Sequence, residues 1–192
     1  KAAVLGATGY TGLVLLRLLA RHPDVRGIIA VSSSQPGEPV RAVDPGLPLE
    51  LEQKIAGPGA KLAPLSEAVK AAETRDLDVV FSALPHLKSA EVCAPFFGRC
   101  VVIDLSADFR FSDAQAFQAA YGAAPARPDL LAKAVFGLAE WYGERVRTAD
   151  IIAPPGSCPT CTLLPLLPLA RGGLLPGSVV VNAISGISGA GK

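Results

Sequence analysis

Methionine is absent from this 192-residue sequence, tryptophan occurs once and histidine twice. A hydrophobic chain of this size normally carries several methionines. Their absence predicts a fragment of a longer protein, or a sequence from which modified methionines have dropped out. The glycine-rich end, Ser188-Gly189-Ala190-Gly191-Lys192, points the same way, because no further chain is there to close a second domain. An excess of one charge is lacking too: 18 Lys and Arg against 17 Asp and Glu leave +1, with no basic cluster. That excludes the electrostatic footprint of a nucleic-acid partner. No apolar run is long enough to span a bilayer; the nearest, Leu163 to Ala170, is short and holds two prolines. No secretory leader is legible, so the four cysteines predict free thiols in a reducing compartment, the cytoplasm. Cys158 and Cys161 are spaced as half of a zinc site, but His22 and His86 are too remote in sequence to complete one.

What is present is a core-forming chain: 50% of residues are hydrophobic and 18% charged, with room for one full domain and part of a second. Its most informative stretch is Val4-Leu5-Gly6-Ala7-Thr8-Gly9-Tyr10-Thr11-Gly12. This reads as a buried strand turning on glycines into the amphipathic helix that begins at Leu13. Gly6, Gly9 and Gly12 let the backbone approach a diphosphate, and the helix N-terminus favours that anion. The spacing differs from the commoner G-x-G-x-x-G, and glycine-rich turns of this kind also occur without a ligand.

Further apolar strands come at Val25–Val31, Leu77–Leu84 and Cys100–Leu105, with helices over Leu65–Thr74 and Ser89–Phe97. Between Ser32 and Ala60 proline and glycine dominate, as in Asp44-Pro45-Gly46 and Gly57-Pro58-Gly59, which predicts loops with at most short strands. The stretch 111–150 reads as helix and loop, with Ala134–Leu138 extended. Strands alternating with helices imply an α/β fold, a Rossmann-type parallel sheet covered on both faces. Ligands of such sheets sit beyond the carboxyl ends of the strands, here Gly6–Gly12, Ser32–Ser34, Leu84–His86 and Ser106–Arg110.

The end of the second strand is Ser32-Ser33-Ser34, with no acid before Glu38. A carboxylate there would hold an NAD ribose and repel a 2′-phosphate, so its absence, with three hydroxyl donors, favours NADP. Serines also simply populate turns.

The segment Ile151-Ile152-Ala153-Pro154-Pro155-Gly156-Ser157-Cys158-Pro159-Thr160-Cys161 reads as strand end, tight turn and helix start. A thiol in a helix's first turn faces the positive end of the dipole, a placement that suits covalent catalysis on an activated acyl group. Free cysteines are otherwise small core residues, as Cys93 and Cys100 read here. Cys158 and Cys161 also form the C-x-x-C pair of dithiol redox proteins.

These residues, in order, resemble the N-acetyl-γ-glutamyl-phosphate reductase family and, more distantly, aspartate-semialdehyde dehydrogenase. The resemblance rests on Gly6–Gly12, Ala83-Leu84-Pro85-His86, Val102–Arg110, Phe136-Gly137-Leu138, Pro155–Thr160 and Ser185–Gly191. It implies an NADPH-dependent reductase of arginine biosynthesis that turns an acyl phosphate into an aldehyde through a cysteine thioester. A carrier-bound aminoadipyl or glutamyl phosphate is an alternative substrate, and a non-catalytic NADP-binding paralogue an alternative function. The implied domains are a nucleotide domain over residues 1–154 and the beginning of an α+β catalytic domain over 155–192. The implied cofactor contacts are Gly6, Thr8, Gly9, Tyr10, Thr11, Gly12, Ser32, Ser33, Ser34, Leu84, Pro85, Ser188 and Gly189. Arg110, Ser106 and Gly156 are the implied substrate contacts, with Arg110 alternatively salt-bridged to Asp104 or Asp108. The family places its cysteine directly after Pro-Gly with an aromatic residue next; here Ser157 takes that position and Cys158 the adjoining one. Cys158 is the expected nucleophile, since a serine without an adjacent base is a poor one. A homo-oligomer, dimer or tetramer, is expected.

Overall fold

Strands that are apolar on both faces must be covered on both faces, and the chain between them is long enough to cross over, so a parallel sheet results. The computed structural model describes residues 1–55, 59–175 and 177–190. Its strands are β1 (Ala2–Leu5), β2 (Ile28–Val31), β3 (Val79–Ser82), β4 (Val101–Asp104), β5 (Val135–Phe136) and β6 (Ile151–Ala153), paired throughout in parallel. The order is β2-β1-β3-β4-β6-β5. The helices are α1 (Tyr10–Arg21), α2 (Val40–Val43), α3 (Leu49–Glu52), α4 (Leu65–Glu73), α5 (Ser89–Val92), α6 (Ala114–Tyr121), α7 (Pro128–Leu131), α8 (Ala139–Arg147) and α9 (Ser157–Arg171).

Alternation along β1 divides the core. Ala3 and Leu5 join Val80, Phe96 and Val102 under α4, whereas Val4 joins Leu16, Ile28, Leu47 and Leu62 under α1. Helix α1 buries Gly12, Leu16 and Ala20, one residue per turn, and α4 buries Ala68, Ala71 and Ala72. Small residues on these faces let the helix backbones lie close to the sheet. Arg17 on α1 donates through Nε to Asp44 at 2.7 Å, tying the helix to the proline-rich loop.

Three expectations shift. The stretch between Ser32 and Ala60, expected to hold loops with at most short strands, carries two one-turn helices, α2 and α3, each begun after a proline that sits at its N-cap. The helix expected over Ser89–Phe97 splits into α5 and a 3₁₀ turn at Ala94–Phe96, because Pro95 supplies no amide donor to continue it. The β-like run before Ser188 forms no strand among the described residues: Val180 is 86% and Ile184 101% exposed. A strand exists only where a neighbour shares its hydrogen bonds, whatever its side chains. The expected turn residues Gly57 and Pro58, and Gly191 near the end, lie outside the described residues. No helix among the described residues is long and apolar enough to cross a membrane.

Candidate active site

The β1–α1 corner is built by close packing of backbone. Gly6 has φ +75°, and a Cβ there would sit 2.8 Å from the Ala83 carbonyl oxygen at the end of β3. A Cβ on Gly12 would lie 2.8 Å from Ala7 Cα and nearer still to the Gly6 carbonyl oxygen. The first turn of α1 therefore rests directly on the loop that precedes it. Ala7 N donates to Val31 O at 3.0 Å and Gly9 N to Gly6 O at 3.1 Å, so the turn is fastened to β2 and to itself. No acid occupies the first turn of α1, leaving its positive end uncompensated. Tyr10 and Thr11 are exposed beside it, and Thr8 and Gly9 are half-buried. Because β1 pairs with β2 on one side and β3 on the other, the chain reverses direction at this corner, the switch point where doubly wound sheets take ligands.

At the end of β2 the three serines part company. Ser32 is buried, and its hydroxyl accepts from Gln35 N at 3.2 Å, closing the turn. Ser33 and Ser34 are exposed, although Ser34 Oγ also lies 3.4 Å from Ser32 Oγ. Two outward hydroxyls remain at the place where an acid would select against a 2′-phosphate.

The loops after β3 and β4 are held together by two buried acids. Asp104 Oδ1 accepts from Ser89 Oγ at 2.6 Å and from Ser106 N at 3.0 Å, and its Oδ2 accepts from Ser106 Oγ at 2.7 Å. Ser89 Oγ in turn lies 2.6 Å from Ser82 Oγ. Burial holds the Asp104 carboxyl above the ordinary carboxylate range, against the opposing pull of these hydrogen bonds. Asp108 accepts from Leu87 N at 2.6 Å and Ala90 N at 2.9 Å, capping α5 and fixing the turn in which Leu87 takes φ +66°. Ser106 is buried, donating to Asp104 and accepting from Asp108 N at 3.1 Å, so its hydroxyl serves the loop. Leu84 is half-buried, while Pro85 and His86 are exposed on this rim. The His86 ring lies 6.1 Å from that of Tyr121 on α6.

Arg110 pairs with neither acid. Its Nε donates to Pro154 O at 2.9 Å and its Nη2 to Leu105 O at 2.8 Å, clamping the end of β4 to the end of β6. The expected salt bridge fails because Asp104 and Asp108 already face hydroxyls and amides. The remaining nitrogen, Nη1, would lie 3.3 Å from a Cβ on Gly156, so the glycine leaves that edge of the guanidinium uncovered. Gly156 caps α9, and its carbonyl accepts from Thr160 N at 3.0 Å and Thr160 Oγ1 at 2.9 Å. Ser157 and Cys158 occupy the first turn, both exposed; Cys158 does not point into packed hydrocarbon.

The carboxyl rim thus gathers the glycine corner, Ser33, Ser34, Leu84, Pro85, Arg110, Gly156, Ser157 and Cys158. Ser188 and Gly189 lie in an exposed 3₁₀ turn, Ile187–Ala190, where Gly189 N donates to Gly186 O at 3.0 Å. Sequence reasoning missed the capping role of Asp108 and the left-handed Leu87. Two acids four apart, one closing an apolar strand, were the available signal. Depressions open at the opposite, amino rim: one of about 670 Å³ around Arg75, Asp78 and Cys100, another of about 540 Å³ around Lys1 and Lys54. Neither coincides with the glycine corner, and strand topology rather than hollow size locates the chemistry in this fold. No cluster of three or more metal-ligating side chains occurs among the described residues.

Residues 1–149 match the family described as semialdehyde dehydrogenase, NAD binding domain. The chain is 39% identical over 194 residues to the N-acetyl-gamma-glutamyl-phosphate reductase of Shouchella clausii, covering 100% of this chain and 54% of that protein. It is 41% identical over 191 residues to the enzyme of the same name from Methanopyrus kandleri, covering 98% of this chain and 52% of that one. The chain therefore spans about half the length of the curated relatives it matches. Among solved structures, aspartate semialdehyde dehydrogenase with NADP from Candida albicans superposes with a TM-score of 0.60 at 18% identity. The match covers 91% of this chain and 48% of that one, and it shows the shared fold. The chain belongs to the semialdehyde dehydrogenase family, whose NAD-binding domain it carries.

Proposed function

We propose that this chain is the nucleotide-binding half of an NADPH-dependent N-acetyl-γ-glutamyl-phosphate reductase, with Cys158 as its nucleophile. The observation that carries this reading is the exposed Cys158 thiol at the start of α9, on the same sheet rim as the glycine corner. Strands β1 and β6 are three intervals apart in the sheet, about 14 Å at the usual strand spacing. Leu84 and Pro85, at the end of β3 between β1 and β6, would line the side of a dinucleotide held at the glycine corner.

The residues fit the cofactor. Gly6 and Gly12 let the end of β3, the loop and the first turn of α1 close up backbone to backbone, while a Cβ on Gly9 would meet only the Gly6 carbonyl oxygen at 3.5 Å, so the side-chain-free N-terminal end of α1 suits a diphosphate. Ser33 and Ser34, without a nearby carboxylate, suit a 2′-phosphate. When bound, NADPH supplies hydride to the acyl carbon.

Cys158 Sγ attacks the acyl carbon of the substrate. The bond from that carbon to the phosphate oxygen breaks, leaving a thioester on Cys158 and free phosphate. Arg110 holds the strand ends that carry this turn and presents Nη1 to an anionic group of the substrate. Holding the acyl group against the thiol makes the attack effectively unimolecular.

Phosphate-dependent reduction of NADP by N-acetyl-glutamate semialdehyde, measured on the full-length protein, tests the reading. Cys158→Ala is expected to abolish the reaction and Ser157→Ala to leave most of it; the reverse pattern refutes the choice of nucleophile. One observation favours a second reading, a non-catalytic NADP-binding paralogue: Ser157 stands directly after Pro155-Gly156, where the family nucleophile is expected. NADP binding without any turnover in the wild-type protein would establish it.

A further inference from the structure

We propose that Cys158 and Cys161 form a reversible disulfide, which makes the first turn of α9 a modification site for small disulfide oxidants. Catalysis as read above leaves Cys161 unused. Residues three apart on an α-helix have Cα atoms about 5 Å apart, from a rise of 1.5 Å per residue and a radius of about 2.3 Å. That lies inside the span of bridged pairs, about 4.4–6.8 Å. The Cys161 side chain already turns back over the preceding turn, its Sγ donating to Cys158 O at 3.2 Å. This is the direction in which helical Cα–Cβ bonds lean.

Among the described residues nothing covers either thiol. Among the described residues α9 buries none, so the adjustment that closes the bond displaces no core there. Pro159 between the two cysteines donates no amide, and Thr160 donates to Gly156 O through both its amide and its hydroxyl. The other cysteines are protected. Burial, with the Asp104 charge nearby, pushes the Cys93 thiol up to about 12. Half-buried Cys100, near Asp78, is pushed up to about 11. The Cys93 and Cys100 thiols are thereby held in their protonated, unreactive form.

With glutathione disulfide as the oxidant, the Cys158 thiolate attacks one of its sulfurs, its S–S bond breaks and one glutathione thiolate leaves. The Cys161 thiolate, its proton passed to solvent, then attacks the Cys158 sulfur and displaces the second glutathione. The protein pair loses two electrons, and glutathione disulfide gains them as two glutathiones. Bond formation stands on the geometry of the pair; its effect on turnover rests on the reading of Cys158 as nucleophile.

The test is to incubate the full-length protein with glutathione disulfide and to follow peptide masses and activity. The peptide holding both cysteines is expected to become lighter by two hydrogens and to retain no glutathione. Cys161→Ala, fully active when reduced, is expected to retain one glutathione on Cys158. The oxidised wild type is expected to lose at least tenfold in phosphate-dependent rate and to regain it with dithiothreitol. A stable glutathione adduct on wild-type Cys158, or an unchanged peptide, overturns the proposal. A disulfide that forms without loss of rate supports the bond and overturns the nucleophile assignment instead.

Discussion

Two strand-to-helix corners share one rim of the sheet and are built in opposite ways. At β1–α1 the glycines exclude side chains, the helix buries Gly12, Leu16 and Ala20, and the chain presents backbone. At β6–α9 the turn is held by Arg110 reaching across from β4, the helix buries nothing among the described residues, and the chain presents a hydroxyl and two thiols. The difference separates binding from reactivity. A diphosphate cradle needs a rigid, side-chain-free wall, whereas a nucleophile needs access, with its position set from beneath.

Substitutions sharpen that contrast, since stability and activity should respond oppositely at the two corners. The largest effect is expected from Cys158→Ala: a loss on the order of 10⁴-fold or more in turnover, as for other covalent nucleophiles. Its urea midpoint should stay within about 0.5 kcal/mol of wild type, because the side chain is exposed. An equal loss of stability would erase the distinction. Gly12→Ala should do the reverse, costing about 3 kcal/mol from a Cβ driven into the Gly6–Ala7 backbone and lowering NADPH affinity by titration. Arg110→Met leaves the Pro154 and Leu105 carbonyls without their donor. A loss of about 1–3 kcal/mol in chemical denaturation is expected, with a raised KM for the acyl phosphate.

Ser34→Asp adds a charge at the end of β2 and should raise the KM for NADPH about tenfold relative to NADH, since like charges near 4 Å repel by up to about 4 kcal/mol. The smallest expected effect concerns Asp104. Its folded-state pKa lies above the ordinary 3.8, so between 3.8 and that raised value the folded chain holds the proton more tightly than the unfolded one. This group's contribution to stability therefore falls as pH rises through the window and stays low above it. The stability of wild type relative to Asp104→Asn should decline with rising pH there. Denaturation midpoints at a series of pH values measure it; a flat difference would show that the hydrogen bonds from Ser89 and Ser106 offset burial, and a rising one that they outweigh it.

The glycine corner was legible from the sequence because all its determinants lie within one continuous stretch, residues 2–21: an apolar strand, spaced glycines and an amphipathic helix. The thiol at the helix start was legible for the same reason, from Pro154-Pro155-Gly156 and the Ser157-Cys158 pair beside it. Arg110 was legible as a cation at a strand end, but its partners were not, since carbonyl oxygens leave no mark in a sequence. The nearby acids suggested a salt bridge, yet Asp104 and Asp108 turn to Ser89, Ser106 and two amides. Ser32 looked like its two neighbours, and only burial separates it from them. The valine-rich run 178–184 has strand-forming side chains and no ladder among the described residues.

The sequence by itself determined the alternation of strands and helices, the parallel sheet and the two chemically distinct corners, because periodicity and turn chemistry act over a few residues. The tertiary structure decided that β6 inserts between β4 and β5. That insertion brings Arg110 to a carbonyl 44 residues away. Every strand offers the same backbone donors and acceptors, so the choice of neighbour depends on how the covering helices pack and is written in no local pattern.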